Sequence, residues 1–203
     1  MKFIRPFVQA AIIAMAAMAI AGTSTAMASN TALCTHHEEP CAAGRIYEGH
    51  FEALAENLTF LTNAINVVCK KGRILGFALG LASPQVTHLE ALAYTECLAQ
   101  GAVACTVEST EIGLLLILRT ALNLGSAKMD NTRVSVSCPG VPIECEYEMS
   151  MVMHASGSPS ANALAEITAA GLPLEGVGMF CPAGPSFDAE YKVVEPDPIF
   201  ITA

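Results

Sequence analysis

The sequence predicts an all-β domain, an antiparallel β-sandwich or barrel-like fold stapled by disulfides. Apolar residues recur with period two over several segments, and eight cysteines stand in a chain of 203 residues. Clusters of glycine, proline, serine and asparagine separate the runs, with no strand–helix–strand alternation. With 53% hydrophobic and 14% charged residues, the composition excludes a disordered chain. The balance of 10 Lys+Arg against 19 Asp+Glu opposes any partner with a phosphate backbone, so nucleic acid is not expected.

At the N-terminus, Lys2 and Arg5 precede an apolar run from Ala10 to Ala21, and Ala26-Met27-Ala28 follows the A-x-A rule. Residues 1–28 therefore read as a secretory signal cleaved before Ser29. The core is shorter than the roughly 20 residues a spanning helix needs, and Leu33 before Cys34 does not suit a lipoprotein. Cleavage removes Lys2 and Arg5 and no acid, which moves the formal net charge from −9 to −11. No later apolar run is long enough to span a bilayer as a helix. The expected organisation is a disulfide-pinned segment over residues 29–45 and a single β domain over residues 46–203.

Along that domain, Ile65, Val67 and Cys69 alternate, and the runs from Arg73 to Ala82 and Gly113 to Leu122 have the flanks of buried strands. The clearest element is a hairpin between Arg133 and His154. Val134, Val136 and Cys138 alternate with Arg133, Ser135 and Ser137; Pro139-Gly140-Val141-Pro142 turns the chain. Ile143, Cys145, Tyr147, Met149, Met151 and Met153 then alternate with Glu144, Glu146, Glu148 and Ser150. Phe187, Ala189, Tyr191 and Val193 repeat the pattern, and Ile199-Phe200-Ile201 resumes it after two prolines, as at a sheet margin. Residues 49–58, 87–97 and 160–171 are rich in alanine, leucine and glutamate, which favours one or two short helices there.

An even cysteine count in an exported chain reads as disulfides. The spacings suggest Cys34–Cys41, Cys97–Cys105 and Cys138–Cys145, leaving Cys69 for Cys181, although about 105 connectivities exist.

Several short motifs belong together: Thr31-Ala32-Leu33-Cys34 with Glu39-Pro40-Cys41, Cys105-Thr106-Val107, Cys138 with Cys145-x-Tyr147, and Cys181-Pro182 with Tyr191-Lys192-Val193-Val194-Glu195-Pro196. In these the chain resembles a group of uncharacterised exported proteins from actinobacteria, over nearly all of the mature length. The resemblance implies an all-β, disulfide-bonded domain and brings no activity with it. Typical members carry threonine and glycine where this chain has alanine and leucine at 87–97 and 161–170, so the resemblance favours strands in those segments.

The best candidate for chemistry is Cys34-Thr35-His36-His37-Glu38-Glu39-Pro40-Cys41, where His36, His37, Glu38 and Glu39 offer two imidazoles and two carboxylates to zinc or copper. Tandem histidines diverge in any regular structure, and a solvated disulfide loop explains the same residues. His50, His88 and His154 are isolated, and the default for each is a satisfied surface or core residue. Met149, Met151 and Met153 could bind a soft metal, but alternation already places them on the core face of a strand. Glu144, Glu146 and Glu148 suit a solvated strand face better than calcium. Asn57-Leu58-Thr59 matches a glycosylation acceptor, meaningful only in a eukaryotic host.

No catalytic, nucleotide-binding or EF-hand motif is present, and no cofactor is implied. The expectation is a non-catalytic exported or cell-surface domain with a structural, adhesive or binding role. Its partner would be an extracellular protein or surface, and sheet edges could pair between copies. Two alternatives are a small secreted metal-binding protein or enzyme using the Cys34–Cys41 loop, and an extracellular inhibitor or effector.

Overall fold

Strand follows strand because apolar and polar side chains alternate almost throughout, so each segment buries one face and wets the other. The computed structural model describes residues 31–61, 66–80, 84–99, 103–140, 143–160, 164–173, 175–177, 181 and 186–203; the signal segment 1–28 lies outside them. In chain order come β1 (Ala32–Cys34), a single 3-10 turn (Ala43–Arg45), β2 (Glu48–Leu61), β3 (Val67–Leu79) and β4 (Gln85–Ala99). Next are β5 (Val103–Glu111), β6 (Leu114–Ala121), β7 (Leu124–Asp130), β8 (Arg133–Cys138) and β9 (Ile143–Glu148). Then follow β10 (Val152–Ser156), β11 (Ala165–Pro173), β12 (Glu175–Val177), β13 (Ser186–Glu195) and β14 (Phe200–Thr202).

These strands close an eight-stranded antiparallel barrel. Strands β2, β3, β4 and β13 run as long staves, and β13 pairs back with β2. The other four staves are each built from two strands in line. β4 pairs with β6 over Gln85–His88 and with β5 over Ala93–Ala99. β6 and β5 then pair with β7 and β8, those with β10 and β9, and those with β11 and β12. A sandwich is thus excluded, because the sheet continues into itself. Closure also removes the free long edges through which copies could have paired.

The predicted hairpin forms over β8 and β9, but its second arm does not run unbroken to His154. It breaks at Met149–Met151 and resumes as β10, which pairs with β7 and β11. Similar breaks fall at Ile112–Gly113 and at Asn131–Thr132, and they are sewn together. The Gly113 N–H donates to the Thr132 hydroxyl (3.3 Å), the Met149 N–H to the Thr132 carbonyl (2.8 Å), and the Leu89 N–H to the Gly113 carbonyl (3.2 Å). The result is a waist of kinks that lets long strands coil around a narrow core.

The helix expectation for 49–58 and 87–97 is corrected: both lie within strands, β2 and β4. Within 160–171 the described residues form β11, and 161–163 lie outside them. Alanine there serves the barrel, not a helix. Ala53, Ala55, Ala165, Ala169 and Ala189 point inward and are buried, leaving room for Phe51, Phe60, Phe187 and Tyr191 at the same axis. Gly72 leaves room for the Leu58 side chain, whose Cδ2 a Cβ there would approach to 2.5 Å, so Leu58 would have to shift.

A ribbon of β1 and β14 plugs one end of the barrel, and Leu33, Phe200, Ile201 and Thr202 are all buried. Asn123 locks it in place: its side-chain N–H donates to the Ser158 carbonyl (2.9 Å), and its Oδ1 accepts from the Ile201 N–H (3.0 Å). Asn123 also holds φ at 54°, a conformation asparagine tolerates better than most residues. Asn123→Ala should therefore lower stability by about 2–3 kcal/mol in urea denaturation, with the barrel strands retained.

Three of the four expected disulfides are corrected. Cys34–Cys41 forms as expected, but the others are Cys69–Cys97, Cys105–Cys138 and Cys145–Cys181. Register permits the observed bonds, since Cys69 lies opposite Cys97 and Cys105 opposite Cys138 on neighbouring staves, although Cys97 also lies opposite Cys105.

Candidate functional site

The Cys34–Cys41 loop does not gather its four candidate ligands. His37 stacks on Phe200 with ring centroids 5.2 Å apart, while His36 Nδ1 lies 3.1 Å from the Thr35 hydroxyl. Glu38 accepts from the Ala42 N–H (3.0 Å) and pairs with Arg45 (2.9 Å), and Glu39 pairs with Arg119. The carboxylates thus bind the loop to the barrel. Only Glu38 comes near the sulfurs of Cys34 and Cys41, all three ligand atoms lying within 4.8 Å of one another. Those sulfurs are bonded to each other, and a disulfide is not the thiolate that binds zinc.

The remaining sequence candidates separate cleanly by face. Met149, Met151 and Met153 are buried in the core, with exposures of 0%, 4% and 2%, and Glu144, Glu146 and Glu148 line the outer surface. His50 is exposed, edge-on to Phe77 and 3.8 Å from Glu90, and His88 is also exposed. Asn57 is exposed at a positive φ of 55° in β2.

Inside the barrel, the Tyr94 hydroxyl donates to Met149 Sδ at 3.6 Å, and Phe60 packs against both Tyr94 and Phe187. Burial pushes the Tyr94 and Tyr191 phenols above their ordinary range, and for Tyr94 the neighbouring Tyr191 adds to the shift. The folded state therefore holds protons that the unfolded chain releases above about pH 10, so stability is full below that pH and falls as pH rises through it. In a spectrophotometric titration near 295 nm, these two phenols should ionise only together with loss of near-UV circular dichroism.

The site that sequence reading missed lies on the outer wall beside the plug. A groove of about 510 Å³ runs between the β6–β7 turn and the chain after β10, with Leu122, Leu124, Pro159 and Leu164 as its apolar rim. Glu166 and Lys192, opposite one another on β11 and β13, form its polar side. A second depression of about 180 Å³ shares Leu124, Ser156 and Glu166 and extends to His154 and Thr168. Leu122 and Leu124 are 56% and 50% exposed, unusual for large apolar side chains at neighbouring positions. No hydrogen bond among the described residues links Ser156, His154 and Glu166 as a nucleophile and its base. The lining comes from segments far apart in the chain, and the one local signal was Leu122-Asn123-Leu124, a turn with leucine on both sides.

Compared with protein-family models, curated proteins and solved structures, the chain matches none.

Proposed function

We propose that this is a non-catalytic exported domain with a structural, adhesive or binding role, and that the groove beside the plug is its contact surface for an extracellular partner. The observation that carries the reading is the filled barrel. Its interior is occupied by Phe51, Phe60, Tyr94, Phe187 and Tyr191, whereas its wall carries an apolar groove with Glu166 and Lys192 beside it. A packed interior suits a scaffold, and an exposed apolar rim beside charged groups suits recognition of another surface.

Export is supported by four disulfides, which persist in an oxidising compartment, and by the signal-like N-terminus. Among the described residues no helix is long and apolar enough to cross a membrane. The barrel wall itself carries Glu52, Lys70, Lys71 and Glu146 outward and apolar residues inward, the inverse of a membrane barrel. The motif resemblance to exported actinobacterial proteins fits the same reading.

Purified protein should show no turnover on a panel of ester, glycoside and peptide substrates. Turnover that His154→Ala or Glu166→Gln abolishes would overturn the proposal and make the groove an active site.

A further inference from the structure

Four cysteines occupy one row across four adjacent staves. Cys69 lies directly opposite Cys97, and Cys97 directly opposite Cys105. The register that sets Thr106 against Ser137 brings Cys105 opposite Cys138. Residues opposite one another in an antiparallel sheet project from the same face, here the interior. Cys69, Cys97 and Cys138 are buried there, and Cys105 packs against the core while remaining partly exposed.

The bonds present join the outer pairs, Cys69–Cys97 and Cys105–Cys138, at Cα separations of 3.9 Å and 4.2 Å. Directly opposite residues stand about 4.5–5.5 Å apart in an antiparallel sheet, within the span that a disulfide bridges. The middle pair, Cys97 and Cys105, therefore sits where a bond could form with the strands in place. What prevents it is valence, because each sulfur is already taken. Cys145 lies outside this arrangement, opposite Val136.

We propose that Cys69, Cys97, Cys105 and Cys138 form an exchangeable disulfide ladder, a redox site whose substrate is a dithiol reductant. A thiolate of the dithiol attacks the Sγ of Cys105, the partly exposed residue of the row, and breaks the bond to Cys138, which leaves as a thiolate and takes a proton. The second sulfur of the dithiol then attacks the first, closing a disulfide in the reductant and releasing Cys105 as a thiolate. Cys105 attacks Cys97 Sγ and breaks the bond to Cys69, which leaves and is protonated. The dithiol loses two electrons and two protons; the protein gains both, as thiols at Cys69 and Cys138 flanking a new Cys97–Cys105 bond. The reducing equivalent has entered at the partly exposed position and moved into the core, and β4 and β5 become covalently linked in place of the β3–β4 and β5–β8 links. Burial disfavours the attacking thiolate, so the exchange speeds up as pH rises.

The test is stepwise reduction of the whole oxidised protein with dithiothreitol at about pH 8, raised until the row carries two free thiols, followed by acid quench, alkylation and non-reduced peptide mapping. The ladder predicts label on Cys69 and Cys138 with a Cys97–Cys105 peptide. Label on Cys105 and Cys138 with Cys69–Cys97 intact, or on Cys69 and Cys97 with Cys105–Cys138 intact, overturns it. In the folded double variant Cys69→Ser/Cys138→Ser, the expected result is one Cys97–Cys105 bond and no reactive thiol, whereas two labelled thiols contradict the ladder. Should that variant not fold, the mapping of the natural chain decides alone.

Discussion

Complete reduction of the four disulfides is expected to unfold the barrel. Cys69–Cys97, Cys105–Cys138 and Cys145–Cys181 join residues 28, 33 and 36 apart, and each restricts the unfolded chain by about 3–4 kcal/mol. Together they rival the whole stability of an ordinary domain, about 5–15 kcal/mol. The buried apolar side chains contribute far more in gross terms, but ordering the chain offsets nearly all of it, so the net margin is of the same size as the cross-links' contribution. Far-UV circular dichroism of the reduced, alkylated protein should lose its β signal at room temperature. A reduced chain that keeps a cooperative thermal transition would show that the strands alone define the fold. Removing only Cys69 and Cys97, both to alanine, should cost about 3–4 kcal/mol and leave a folded protein.

Gly113→Ala is the single substitution expected to harm the fold most. A Cβ at Gly113 would lie 2.0 Å from the Asp130 carbonyl oxygen and 2.5 Å from that of Asn131, both backbone atoms that cannot swing aside. The clash falls at the waist, where the Gly113 N–H and carbonyl join β6 to Thr132 and Leu89. Relieving it would require β6 and β7 to separate where Leu114 faces Asp130. A loss of about 3 kcal/mol is expected, read as a lower urea midpoint. Gly44→Ala provides the control, since a Cβ there meets nothing within 4 Å, and its midpoint should barely move.

The class of fold was legible because period-two alternation reports burial on one side of a sheet, and β8, β9 and β13 keep it without interruption. Closure was not legible. It depends on β4 being long enough to hold β6 at one end and β5 at the other, and a pattern of inward and outward residues is the same in a sandwich and a barrel. The helix signal in 87–97 failed for a related reason: alanine and leucine propensity is a weak prior beside pairing with two neighbours, and β4 has both. Loop length misled the disulfide assignment. Cys97 and Cys105 are close in sequence and lie opposite one another, yet Cys69 and Cys138 flank them in the same row and hold the bonds.

The N-terminal loop shows the complementary case. His36, His37, Glu38 and Glu39 are neighbours in sequence, but the structure sends them to Thr35, Phe200, Arg45 and Arg119. Density of ligating residue types in a short segment says little until the backbone directs their side chains. The groove beside the plug is the reverse: its lining runs from Leu122 to Lys192 and gathers only when the barrel closes.

Non-reduced peptide mapping of the protein collected outside the producing cell tests both the proposed export and the four cross-links of the barrel at once. The expected result is an N-terminus at Ser29 and the pairs Cys34–Cys41, Cys69–Cys97, Cys105–Cys138 and Cys145–Cys181, with no free thiol. A Cys138–Cys145 or Cys69–Cys181 peptide, alkylated cysteines before reduction, or a chain still beginning at Met1 would contradict it.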